Sequence, residues 1–217
     1  YAFYNCTSLS EVTLSKSLQT IDYYAFQNCK KLESIEFPKS LTKCTVYWNN
    51  GVFEGSGLKN VTFEEGTKQI ASGLLYGCAN IESIVIPDTI TAINADAFHN
   101  CTSLTSISMP DTITSIGSEA FNGCTSLKTI KIPDDVTTIG SYAFYNCTSL
   151  SDVTLSKSLE TIESYAFQNC KKLESIEFPK SLTKCTVSWS TGVFEGSGLK
   201  NVTFEEGTKQ IASGLLY

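Results

Sequence analysis

The sequence predicts a β-rich α/β solenoid over residues 1–217, one domain of about nine stacked units of ~23 residues. Three observations predict it. A Phe is followed three residues later by a Cys six times: Phe3/Cys6, Phe26/Cys29, Phe98/Cys101, Phe121/Cys124, Phe144/Cys147 and Phe167/Cys170. Phe53/Ser56, Leu75/Cys78 and Phe194/Ser197 are variants of the pair, and successive spacings, running on to Leu216, are 23, 27, 22, 23, 23, 23, 23, 27 and 22. Above this lies a second repetition, in which residues 1–76 recur as 142–217. The two blocks differ at seven positions: Glu11/Asp152, Gln19/Glu160, Asp22/Glu163, Tyr23/Ser164, Tyr47/Ser188, Asn49/Ser190 and Asn50/Thr191.

The cleanest unit runs from Ala97 to Gly117. Leu104, Ile107 and Met109 alternate with Ser106 and Ser108, the period of a strand with one buried side. Pro110-Asp111 breaks that strand and turns the chain. Ile113 and Ile116 give a second short extended piece. Gly117 is expected to take an unusual backbone angle. Ser118-Glu119-Ala120-Phe121 reads as a short helical turn with Ser118 as its N-cap. Phe121 and Cys124, three apart, then share one face of that turn. One unit buries too little apolar surface to offset the cost of ordering its chain, so it needs neighbours. Stacking gives one long parallel sheet, with the helical turns and second strands on the other side.

The pattern Ala-Phe-x-x-Cys-x-x-Leu-x-x-Ile-x-Ile-Pro-x-x-Ile/Val-x-x-Ile-Gly resembles the BspA-like (Treponema pallidum type) leucine-rich repeat across essentially the whole chain. The resemblance implies a curved, right-handed superhelix. It also implies a secreted or surface-anchored protein, and a class of adhesins that bind protein ligands on host or neighbouring cells. No residue-level site carries over. Both ends fall within a unit, so the chain is expected to be a fragment of a longer array. End-to-end self-association through exposed strand edges is expected to be open to it.

Charge narrows the partners. Formal net charge is −6, and all 16 basic residues are Lys. A nucleic-acid binder would want a basic face with Arg forks, so none is expected as partner. An acidic surface gains nothing at an anionic membrane, and no run of about 20 apolar residues exists to insert into one. Seven of the nine Cys share one unit position, the others being Cys44 and Cys185. No Cys-x-x-Cys occurs, so the ladder reads as small buried thiols rather than a metal site or disulfide framework. The Asn-x-Thr sequons at Asn5, Asn60, Asn100, Asn146 and Asn201 read as repeat framework rather than glycan acceptors. The one His, His99, reads as a solvated residue of the helical turn. The carboxylates are copied with the repeats, unlike the unique constellation of an active site. No catalytic residue, metal or cofactor is therefore expected, and the chain reads as a non-enzyme.

Two features are candidates for binding. The 27-residue units carry insertions, Thr42–Gly51 and the copy at 183–192, which hold Tyr47, Trp48 and Trp189. Loop aromatics are good anchors, although each Trp could equally fold back over its widened unit. The outward row of the sheet is small and polar, with charges at Glu36, Lys131, Asp152 and Glu177. Two functions fit: an extracellular or cell-surface recognition array whose copied units raise avidity, or a structural spacer with no ligand of its own.

Overall fold

The computed structural model describes residues 1–47, 50–187 and 192–215. The chain winds as a parallel β-solenoid of about eight turns. Each turn supplies one longer strand, one two-residue strand and a tight non-strand segment. The longer strands are Ser34–Phe37, Asn60–Phe63, Ser83–Val85, Ser106–Ser108, Thr129–Lys131, Asp152–Thr154, Ser175–Phe178 and Asn201–Phe204. The short ones are Thr20–Ile21, Lys43–Cys44, Gln69–Ile70, Ala92–Ile93, Ser115–Ile116, Thr138–Ile139, Thr161–Ile162 and Lys184–Cys185. The alternation read from the sequence sets their faces: Ile84 and Ile130 are buried while Ser83, Val85, Thr129 and Lys131 are exposed.

The structure corrects the expectation of nine units. The first supplies a turn but no strand at Glu11–Thr13, where Leu9, Val12 and Leu14 are only partly buried. It also corrects which strands form the long sheet. The longer strands are ladder-bonded in four pairs, whereas the short strands from Gln69–Ile70 to Lys184–Cys185 form a continuous six-stranded sheet. That sheet stops at the first inserted unit, where Lys43 bridges Ser72 instead of continuing to Gln69.

The third correction concerns the helical turns, since no α-helix occurs among the described residues. Around Phe98 the backbone donors alternate. Ala97, His99 and Cys101 N–H donate three residues back, to Asn94, Asp96 and Phe98 carbonyls. Phe98 and Asn100 N–H donate to the next turn of the solenoid, to Ala120 and Asn122 carbonyls at 2.8 and 2.7 Å. A helix would keep all these donors within one segment, four residues back. Asp96 and Asn100 also take φ of 58° and 56°, which an α-helix excludes. The segment is thus a run of tight turns stitched to its neighbour. Asn5, Asn28, Asn100, Asn146 and Asn169 share this left-handed position with Gly55, Gly77, Gly123 and Gly196. Asn and Gly are the residues that tolerate it. Ser118 accordingly caps no helix; its carbonyl accepts from Asp96 N–H at 3.0 Å. Nor does Gly117 have a positive φ: a Cβ there would lie 2.6 Å from Ala95 N, so close backbone approach requires the glycine.

The core is one continuous cluster. Phe98, Phe121, Phe144, Phe167 and Phe194 stack face to face at 5.1–5.3 Å, each ring nearly parallel to the next. Beside them run the thiols. Cys101, Cys124, Cys147 and Cys170 each donate Sγ–H to a carbonyl one turn back, of Leu75, Phe98, Phe121 and Phe144, at 3.1–3.2 Å. The same Phe98 carbonyl accepts from Cys101 N–H, so the thiol occupies its second lone pair. Burial pushes the Cys101 and Cys170 thiols up to about 12 and keeps them protonated. All nine cysteines are free, and Cys6 alone is exposed.

Candidate recognition surface

The outward row of the longer strands is exposed throughout, and Glu36, Lys131, Asp152 and Glu177 all lie on it. Asp152 and Glu177 come together. They line a groove of about 500 Å³ whose apolar part is Val153, Leu155, Ile176 and Pro179. Lys157 and Glu205 line it too, each held by an ion pair: Lys157 to Asp134 at 2.8 Å and Glu205 to Lys180 at 3.1 Å. The Lys157 hydrogen bond holds the Asp134 carboxyl below its ordinary range, and donation from the Lys180 backbone and side chain does the same for Glu205. Asp152 and Glu177 have no ion-pair partner among the described residues.

The groove occurs twice. Val12, Thr13, Leu14, Lys16, Glu36, Pro38 and Glu64 line a smaller one of about 140 Å³. These are the block-one copies of Val153, Thr154, Leu155, Lys157, Glu177, Pro179 and Glu205. The sequence placed Glu36, Asp152 and Glu177 on this face. It gave no sign of a concavity, which forms from residues on successive turns. Lys131 sits outside the groove, 3.9 Å from Asp111 in an exposed pair that contributes little.

Trp48 and Trp189 fall outside the described residues. Tyr47 is exposed, forms an antiparallel bridge with Asn50, and packs 5.2 Å from Tyr23 and 6.3 Å from Tyr24. Tyr1 and Tyr4 join this patch on the turn segments, Tyr1 stacking on Tyr24 at 4.7 Å. The second block keeps Tyr142, Tyr145 and Tyr165 but replaces Tyr23 by Ser164 and Tyr47 by Ser188.

His99 is not the solvated residue the sequence indicated. Its side chain is 12% exposed and stacks on buried Tyr76 at 4.3 Å, with Asp96 and Glu119 carboxylates beside it. The available signal was positional: Asp96 and Glu119 stand where the other units carry Tyr or Gly.

A parallel β-solenoid with stacked Phe and Cys ladders and an exposed strand face defines a leucine-rich-repeat protein. The whole sequence matches the BspA type leucine rich repeat region, over residues 1–104, 47–120 and 91–217, and the chain belongs to that family. No catalytic family is indicated. The T. pallidum leucine-rich-repeat protein TpLRR has a similar fold, with a TM-score of 0.61 at 24% identity over 72% of each chain. The pneumococcal vaccine antigen PcpA gives a TM-score of 0.58 at 23% identity over 90% of this chain. This chain spans 45% of the PcpA chain. No curated protein sequence matches the chain. Among the described residues no helix is long and apolar enough to cross a membrane.

Proposed function

We propose that residues 1–217 act as one non-catalytic solenoid of the cell surface or extracellular space that recognises protein ligands on host or neighbouring cells. The observation that carries this is the groove at Asp152 and Glu177. It combines a lining that includes Val153, Leu155, Ile176 and Pro179 with two carboxylates that pair with no cation among the described residues. An extended segment presenting Lys or Arg beside an apolar residue complements it. The copy at Glu36 gives a second, smaller seat on the same face, so binding to a multivalent surface gains by avidity. Description of PcpA as a vaccine antigen supports placement outside the cell.

A spacer is the second reading, favoured by the regular stacking of unit on unit. One experiment separates the two. Saturable binding of the chain to host cells or matrix proteins is measured beside Asp152→Asn/Glu177→Gln and Trp48→Ala/Trp189→Ala variants. Loss in the carboxylate variant, by about tenfold or more, supports the groove. Loss in the Trp variant alone moves the site to the inserted loops, and absence of binding by the folded chain favours the spacer.

A further inference from the structure

Between the duplicated blocks lies a cluster that neither the framework nor the groove uses. Asp96 and Glu119 occupy the same position on neighbouring turns, and His99 projects between them from the turn of Asp96. His99 Nδ1 is 3.1 Å from Asp96 Oδ1 and 3.4 Å from Glu119 Oε2. All three atoms lie within 4.8 Å of one another. A tetrahedral ion with bonds of roughly 2.0–2.1 Å sets its ligand atoms about 3.3 Å apart. The geometry points to a binding site for one divalent transition-metal ion of the zinc class, held by Asp96, His99 Nδ1 and Glu119.

Two further observations support it. The imidazole is fixed by its stack on Tyr76, and Asn122 Nδ2 donates to Glu119 Oε2 at 3.0 Å, the outer support that orients metal ligands. No Lys pairs with Asp96 or Glu119 among the described residues, so two carboxylates face one imidazole with no fixed cation. An imidazole with two carboxylates suits zinc, manganese or iron, whereas calcium wants an all-oxygen shell of six or more. Three protein ligands leave a position open beside Glu119, whose side chain is 41% exposed. Bound there, the ion would pin one turn of the solenoid to the next.

A proton on Nδ1 shared by both carboxylates would give the same distances, so the test must separate metal from proton. The chain has one His, which makes its ring nitrogen resonances unambiguous in the unaltered protein. Zinc chloride is titrated into the full chain in a non-chelating buffer while those resonances are followed. One equivalent is expected to move the Nδ1 signal to that of a metal-bound nitrogen, and chelator to reverse it. Asp96→Asn and Glu119→Gln, which keep side-chain shape, are each expected to weaken binding at least about tenfold. Cys6→Ser is expected to change nothing. Ring signals unmoved at millimolar zinc would overturn the proposal. So would an affinity indifferent to Glu119→Gln.

Discussion

The two duplicated blocks compare one sequence in two settings. Phe3 is 44% exposed while its copy Phe144 is fully buried. Cys6 is exposed and Cys147 buried. Residues 11–13 form no strand, whereas Asp152–Thr154 pairs with Thr129–Lys131. At the other end the relation inverts: Ile70 is buried in a short strand and Ile211 is 58% exposed outside one. Of the seven differences, only Glu11/Asp152 falls within these stretches, so local sequence does not explain the contrast. The same local sequence is therefore buried and paired according to which turns lie against it. Nearest-neighbour packing, rather than intrinsic propensity, carries the stability.

The comparison can be broken at the aromatic stack. Phe144→Ala is expected to cost about 3–5 kcal/mol and Phe3→Ala about 1 kcal/mol or less, read by urea unfolding followed by circular dichroism. Equal losses would end the claim that position sets the value of a residue. Cys147→Ala is expected to cost about 1–2 kcal/mol, because the Phe121 carbonyl loses its second donor; Cys6→Ala should stay within about 0.5 kcal/mol.

The thiols sharpen the contrast further. A thiol reagent is expected to label Cys6 in the native protein and the buried thiols only on unfolding. Alkali gives the sign. Burial pushes the Cys101 and Cys170 thiols up to about 12 in the folded chain from an ordinary value of 9.0. Unfolding therefore releases protons above pH 9, and stability, complete below it, falls as pH rises toward 12. Cys101→Ala should flatten that fall in a pH series of urea midpoints. The smallest effect belongs to the tyrosine patch. Tyr23→Ser and Tyr47→Ser give block one the residues of block two there and should alter stability by about 0.5 kcal/mol or less each.

Much of the fold was legible because it is periodic. Leu104, Ile107 and Met109 against Ser106 and Ser108 announce a strand without reference to any neighbour. Phe121 and Cys124 do not discriminate in this way, since a spacing of three suits a helical turn and a run of tight turns alike. What decides is that Phe98 and Asn100 N–H reach Ala120 and Asn122, a bond between units that no single unit displays. Gly117 was misread for the same reason, its constraint being the backbone of Ala95 rather than its own φ. Within the candidate surface, charges on the strand face were readable from alternation, but the groove and the His99 cluster arise only when neighbouring turns are brought together.

Recurrence of residues 1–76 at an offset of 141 residues, six units, gives the molecule a ruler. Parallel strands stack about 4.8 Å apart, so six turns advance the axis by about 29 Å. Every further copy of the block would lengthen the rod by that increment and set another groove on the same face at the same pitch. Reach and valence would then change together in whole steps, and a ligand lattice of matching period would count the copies.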